Sequence, residues 1–221
     1  MTLWLTRIVP SPRSREARRD LAGSDQGIRL HRRMLLMFPD GVEGPPRAAF
    51  GVLFRAEESR SGPRILLQSH TEPDASRLPG DYGSVETRSL DTLLSKLHKG
   101  MIVNYRCVAN PVRKPGSASR EAYGLPPVVA LNGNAAVEWW ERQSSAAGLE
   151  ALHINAEPLA AVRGRQRTSG PAAERRIQHA RTQFDGSARV VDAELLREKL
   201  ATGIGRGKAY GCGLLSVAPA R

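Results

Sequence analysis

Aromatic side chains make up only 5% of these 221 residues, and there are only two cysteines. A core built from this composition must rely on Leu, Val, Ile and Ala, and Cys107 and Cys212 are too few and too far apart for a disulfide framework. No apolar run approaches the ~20 residues of a membrane span. The opening MTLWLTRIVP carries a charge inside its apolar stretch and lacks a small-residue cleavage site. It reads as a first strand rather than a signal peptide, and a reducing cytoplasm is the expected compartment. No Cys/His or carboxylate cluster has metal-ligand spacing, so neither a metal nor a cofactor is expected. Acidic residues are also scarce, 22 against 33 Lys and Arg, for a formal charge of +11. That excess draws polyanions by counterion release, which makes nucleic acid the leading partner. No basic-apolar helix is long enough to favour a membrane surface instead.

Periodicity gives a repeated order of elements. Alternation predicts a strand over 3–9, followed by a basic, turn-rich segment over 11–27. A helix is expected over 28–38. Leu30, Met34, Met37 and Phe38 lie on one face, Arg29, Arg32 and Arg33 on the other, and Pro39-Asp40-Gly41 ends it. Strands over 48–55 and 64–70 flank a polar turn, and a helical turn at 74–78 precedes a strand over 82–88. Residues 90–100 read as a connector with one small helix.

The second half then reads strand 101–114, helix 135–146, strands 151–162 and 176–184 around a basic loop, and an Asp185-Gly186 turn before 188–191. Asp192 is the expected N-cap of a helix reaching about Thr202, Gly203 its C-terminal glycine, and 210–217 a last strand. Trp139 and Trp140 fall on helix-core positions. The fold expected is α+β, two tandem ferredoxin-like βαββαβ domains: 1–90, a linker at 91–100, and 101–221.

The run GIGRGKAYGCGLLSV holds Gly203, Gly205, Gly207, Gly211 and Gly213. It follows a helix and precedes a strand, the reverse of a dinucleotide fingerprint. A Walker A loop would need Gly where Thr202 stands and Ser or Thr where Ala209 stands. Two readings remain: a helix cap with a tight turn, or a backbone nest that brings amides, Arg206, Lys208 and Tyr210 to an anion.

The spacing Gly203-x-Gly205-x5-Gly211-x-Gly213, running into Leu214-Leu215-Ser216, resembles the C-terminal signature of the RAMP superfamily. More narrowly, the chain resembles the CRISPR repeat-processing endoribonucleases of type I-E systems, the CasE family. LWLTRIV with SREARRDL, RLHRRMLLMFP, and the central strand YRCVANPVRK agree with that family in its order along the chain. The resemblance implies two ferredoxin-like domains and metal-free cutting of the CRISPR precursor transcript at the foot of each repeat hairpin. The products would be a 2′,3′-cyclic (or 3′-) phosphate and a 5′-hydroxyl, with the hairpin product retained within the Cascade complex.

Histidine suits such proton transfers because its unperturbed pKa is ~6.5. Of the five present, His31 matches the family's catalytic histidine and stands beside Arg29, Arg32 and Arg33, which can hold RNA phosphate. On a helical wheel it also falls at the edge of the apolar face, where a half-buried structural histidine would look the same. His70, His98, His153 and His179 are expected to be structural or solvated. Relatives often carry tyrosine three residues before the histidine, where Ile28 stands, and no second proton-transfer residue is assigned. The resemblance places Arg163, Arg165, Arg167, Arg175 and Arg176 on a hairpin entering the RNA groove, although such a charge run also suits a solvated loop. Arg18 and Arg19, with Arg13 and Arg15, form a second basic patch. The alternatives are a non-catalytic RNA-binding subunit of the same superfamily, which would not need His31, and an unrelated basic RNA-binding protein.

Overall fold

The computed structural model describes residues 2–166 and 175–220, excepting the side chains of 165, 166 and 175–177. Arg167 therefore lies outside the described residues, as do the side chains of Arg165, Arg175 and Arg176.

The first half comprises β1 (Trp4–Pro10), α1 (Arg15–Leu21), α2 (Gln26–Leu35), α3 (Pro46–Ala49), β2 (Leu53–Ser59), β3 (Gly62–Ser69) and β4 (Gly83–Ser89). Its four strands form an antiparallel sheet in the order β2-β3-β1-β4. The second half begins with α4 (Asp91–Lys96), β5 (Ile102–Ala109), β6 (Val112–Arg113), α5 (Ser117–Tyr123), β7 (Val129–Ala130) and α6 (Asn134–Ser145). It continues with β8 (Leu149–Gln166), β9 (Arg175–Val190), α7 (Ala193–Thr202) and β10 (Leu215–Pro219). Here the sheet order is β10-β5-β9-β8. In each sheet the first strand lies between the third and fourth, and the second is at the edge. Both halves are thus ferredoxin-like. In the first, the second helix of the motif is reduced to a single 3₁₀ turn, Ala75–Arg77.

Several expectations are corrected. The segment 11–27 contains α1, capped by Ser14 Oγ accepting from Ala17 N at 3.3 Å. Its inner face is Ala17 and Asp20, and Asp20 is held by Arg33 of α2, so ion pairing replaces the apolar stripe that would have revealed it. Helix α2 starts earlier than read and ends at Leu35. Residues 36–38 continue as tight turns, with Leu36, Met37 and Phe38 amides bonded to carbonyls three residues back. The expected strand 48–55 is α3 followed by β2. The expected strand 101–114 breaks at Asn110-Pro111, because proline lacks the N–H a ladder needs, and β6 then pairs with β7 in a separate sheet.

Asp185-Gly186 is not a turn. Both residues lie inside β9, opposite Arg106 and Tyr105 on one side and Asn155 and Ile154 on the other. A Cβ on Gly186 would collide with the His153 carbonyl, so this glycine admits a close backbone approach within the sheet. Strands β8 and β9 also run further than read, carrying Arg163–Gln166 and Arg175 into the ladder. The last strand begins only at Leu215, after a 3₁₀ turn at Lys208–Tyr210.

Two cores result. One holds Ile8, Leu30, Met34, Phe38, Phe54 and Ile65; the other centres on Trp140, whose ring lies 4.8 Å from Phe184 and 5.3 Å from Tyr105. Trp139 packs in the same core. Between the halves lies Arg55, only 2% exposed. Its Nε donates to Glu57 at 2.6 Å, while the guanidinium also donates to Leu214 O at 2.8 Å and to Ser216 Oγ at 3.0 Å. Gln68 donates to Leu200 O at 2.6 Å. A buried charge demands this degree of satisfaction, so these bonds fix how the halves meet. No helix among the described residues is long and apolar enough to cross a membrane.

Candidate active site between the domains

His31 projects from the middle of α2. It is half-buried, and its ring stacks on Phe54 of β2 with centroids 6.3 Å apart and planes inclined by 19°. Phe54 in turn lies under Gly211 of the glycine run, so the imidazole sits where α2, β2 and that run converge. One turn before His31 on the same face, Gly27 presses on the run directly. A Cβ there would lie 2.8 Å from Tyr210 O and 3.2 Å from Val162 of β8. Helix and glycine run, distant in sequence, are packed together.

The electrostatics around His31 are one-sided. Burial first, then the charges of Arg47 and Arg32, lower its pKa from 6.5 to about 4, so it is neutral at pH 7. Its Nδ1 is buried without a hydrogen-bond partner among the described residues. A neutral imidazole with an unengaged nitrogen can accept a proton, which a charged one cannot.

The arginines expected beside it separate into two groups. Arg29 is bound to Asp25 at 2.8 Å and to the Ala22 carbonyl. Arg33 is clamped by Asp20 at 2.7 Å and by Glu16, with its guanidinium 5.2 Å from the Tyr82 ring centre. Both cations hold α2 to its surroundings. Arg32 is exposed and makes no ion pair among the described residues. Arg18 and Arg19 are exposed on α1. Arg163 is exposed on β8, and its backbone N donates to Ser24 O at 2.8 Å, tying the root of the β8–β9 hairpin to the start of α2. In register, Arg165 faces Arg176, and Arg175 faces Gln166.

The glycine run does structural work first. Gly203 closes α7 with φ 76°, its N donating to Lys199 O at 2.8 Å. Ile204, Tyr210, Cys212 and Gly213 amides all bond within the run or to Val108 of β5, so these four are committed to the fold rather than to an anion. Gly205 and Gly207 also adopt positive φ, and Arg206 is exposed and pairs through its backbone with Asn110. Lys208 is half-buried and donates from Nζ to Thr202 O at 2.7 Å. Burial, then Arg47 and Lys199, push its pKa down.

Of the other histidines, His98 and His153 are exposed, and His70 packs beneath Gly51 with Nε2 3.3 Å from Ala201 O. His179 stacks on Tyr210 at 4.6 Å, and its Nδ1 is 2.7 Å from the Asn110 amide. Residues unsignalled in the sequence are Arg47 and Phe54. Phe54 falls within the expected strand 48–55 as one more apolar residue, and nothing in GPPRAAF shows that the charge of Arg47 acts on His31.

Residues 3–219 match the family model described as CRISPR associated protein. The chain is 33% identical to the CRISPR-associated endoribonuclease Cse3 of Thermus thermophilus, over 98% of this chain and 100% of that one. The structure of a CRISPR endoribonuclease Cse3 bound to 19 nt RNA superposes with a TM-score of 0.78 at 32% identity, covering 99% of this chain and 100% of the other. A chain of a CRISPR RNA-guided surveillance complex, pre-nicking, gives 0.66 at 36% identity, covering 98% and 100%. With the family model matching almost end to end and this relative aligned along its whole length, the chain belongs to the family of CRISPR-associated proteins that includes the endoribonuclease Cse3.

Proposed function

We propose that this protein is a metal-independent endoribonuclease that cuts CRISPR precursor RNA within each repeat, at the base of the hairpin. It keeps the hairpin product as a subunit of the Cascade surveillance complex in the cytoplasm. The full-length likeness to an RNA-bound endoribonuclease and to a surveillance-complex chain supports this. On this reading residues 1–90 carry His31, 91–100 connect, and 101–221 carry the basic hairpin and glycine run.

The observation that carries the mechanism is the state of His31, a neutral imidazole at the meeting point of both domains. His31 accepts the proton of the 2′-hydroxyl. The 2′-oxygen bonds to phosphorus, the P–O5′ bond breaks, and the 5′-oxygen is protonated by water. The products are a 2′,3′-cyclic phosphate and a 5′-hydroxyl. No side chain is assigned to the second proton transfer. Arg163 with Arg165, Arg167, Arg175 and Arg176, and the patch of Arg18, Arg19 and Arg32, hold the RNA backbone. Arg206 and Lys208 approach it from the glycine run.

The test is to incubate the protein with its cognate repeat RNA in EDTA. Cleavage at the hairpin base is expected, lost in His31→Ala while binding persists. Undiminished cutting by His31→Ala would remove His31 from its role. Binding by the wild-type protein with no cutting would favour the non-catalytic subunit. A substrate with 2′-deoxyribose at the scissile position should resist; if it is cut normally, 2′-OH attack is wrong.

A further inference from the structure

Most cations of the first domain that line its helices and sheet are neutralised by carboxylates. Arg29 has Asp25, Arg33 has Glu16 and Asp20, Arg55 and Arg64 share Glu57, and Arg77 has Asp40. Arg47, and Lys208 of the second domain, like Arg32, form no ion pair among the described residues. Arg47 lies in the single turn of α3, and Gly51, at φ 62°, reverses the chain after it. Val52 N donates to Arg47 O at 2.8 Å, and Arg47 Nη1 lies 3.5 Å from Val52 O, a long contact that leaves most of the guanidinium's donors unused. This anchors the side chain two residues from Phe54, the ring under His31 that also touches Gly211. Lys208, three residues before Gly211, reaches back to Thr202 O. The charge of Arg47 thus acts on both the His31 imidazole and Lys208, and neither cation is paired with a carboxylate among the described residues. Such an arrangement is unfavourable by itself and becomes favourable when an anion sits among them.

We propose that Arg47, assisted by Lys208, binds the scissile phosphate against His31 and stabilises the charge that builds on its non-bridging oxygens. This rests on the endoribonuclease reading and gives the reaction centre its phosphate clamp, which neither Arg29 nor Arg33 is free to supply. As the 2′-oxygen attacks, the phosphodiester's single negative charge grows toward two. A cation fixed there gains more from the transition state than from the ground state. Seating the phosphate also cancels the Arg47 charge that helps keep His31 neutral, so the base strengthens when substrate is present. The other charged group that acts on His31 is Arg32 on its own helix, while Lys208 lies in the turn of the glycine run that packs against α2. The carboxylates of Glu16 and Asp20 on α1, and of Asp25 before α2, are held by Arg33 and Arg29. Arg163 on β8 faces the same helix.

The experiment compares Arg47→Gln, Arg47→Lys and wild-type protein in single-turnover cleavage of the cognate repeat RNA at saturating protein. It also measures affinity for a repeat RNA ending in a 3′-hydroxyl just before the scissile phosphate. Arg47→Gln should cut ~10²–10³-fold more slowly, with the truncated RNA bound within about twofold of wild type, and Arg47→Lys should recover at least about tenfold of the rate. In the free protein, the His31 ring should titrate at higher pH in Arg47→Gln than in wild type by NMR. A wild-type cutting rate in folded Arg47→Gln overturns the proposal. So does an equal rate loss in both variants accompanied by equal drops in melting temperature, the mark of a purely structural role. If wild-type protein binds and never cuts, the endoribonuclease reading fails. The clamp then stands only if Arg47→Gln loses affinity for RNA carrying the phosphate and none for RNA without it.

Discussion

His31 and Phe54 stack across the contact between α2 and the first strand of the sheet hairpin, 6.3 Å from centre to centre. The aromatic floor fixes the imidazole plane and supplies part of the burial that keeps it neutral. Replacing Phe54 with Leu retains apolar volume and removes the ring. The variant should fold, release His31 to other rotamers, and slow cleavage by about tenfold while RNA affinity is kept. Single-turnover rates alongside filter binding check this.

The same burial makes stability depend on pH. His31 titrates at about 4 in the folded state against 6.5 as its ordinary value. Between those values the unfolded chain binds the extra proton. Stability therefore rises with pH through this window and is lost as pH falls from 6.5 towards 4. The His31 share is on the order of 1–2 kcal/mol once partial exposure is allowed for. The urea midpoint of wild type should fall relative to that of His31→Gln as the pH is lowered from 7 to 4. Parallel curves would show that His31 is not the titrating group.

Gly27→Ala provides a test in which helix propensity and packing oppose each other. In an isolated helix the change would stabilise by about 0.8–1 kcal/mol. Here the new methyl meets Tyr210 O, a backbone atom that cannot easily move. A net loss of roughly 1–3 kcal/mol is expected, with slower cleavage as α2 separates from the glycine run. Thermal melts and cleavage rates report both.

Arg55→Ala should be among the most damaging substitutions outside the site. It leaves Glu57 buried with a reduced set of cations and strips three acceptors of the second domain, the Arg106 and Leu214 carbonyls and Ser216 Oγ. A cost of about 3–5 kcal/mol is expected, and the double change Arg55→Met with Glu57→Leu should recover much of it. Denaturant unfolding of the two variants decides.

Replacing Arg163, Arg165 and Arg167 together should weaken RNA binding and flatten its salt dependence by roughly 0.7–0.9 in log–log slope for each phosphate that is no longer neutralised. An unchanged slope would show that this hairpin does not grip the RNA backbone.

Elements whose burial is periodic can be read from the sequence. Leu30 and Met34 announce α2, and Asp192 with Gly203 brackets α7, since the Asp192 side chain caps Glu194 and Leu195 and Gly203 takes positive φ. Helix α1 is hidden because its inner face is Ala17 and Asp20, a pattern that becomes sensible only once Arg33 is opposite. Asp185-Gly186 misleads because the same dipeptide serves a tight turn or a crowded strand, and the His153 carbonyl decides which. His31 is recognisable from its local context. Its environment is not: Arg47, Phe54 and Lys208 come from three separate segments, and their convergence is a property of the interface between domains.

Ile28 packs into the space left by Gly164 of β8, where any added Cβ would strike its Cδ1. Position 28 is thus a hinge pin between the helix bearing His31 and the root of the arginine hairpin. The two residues form a matched pair, one filling what the other vacates. Anyone wishing to install a tyrosine at 28 must first treat position 164 as part of the same design problem. A larger residue at 164 would lift the hairpin from the helix and separate the arginines proposed to grip RNA from the histidine proposed to cut it.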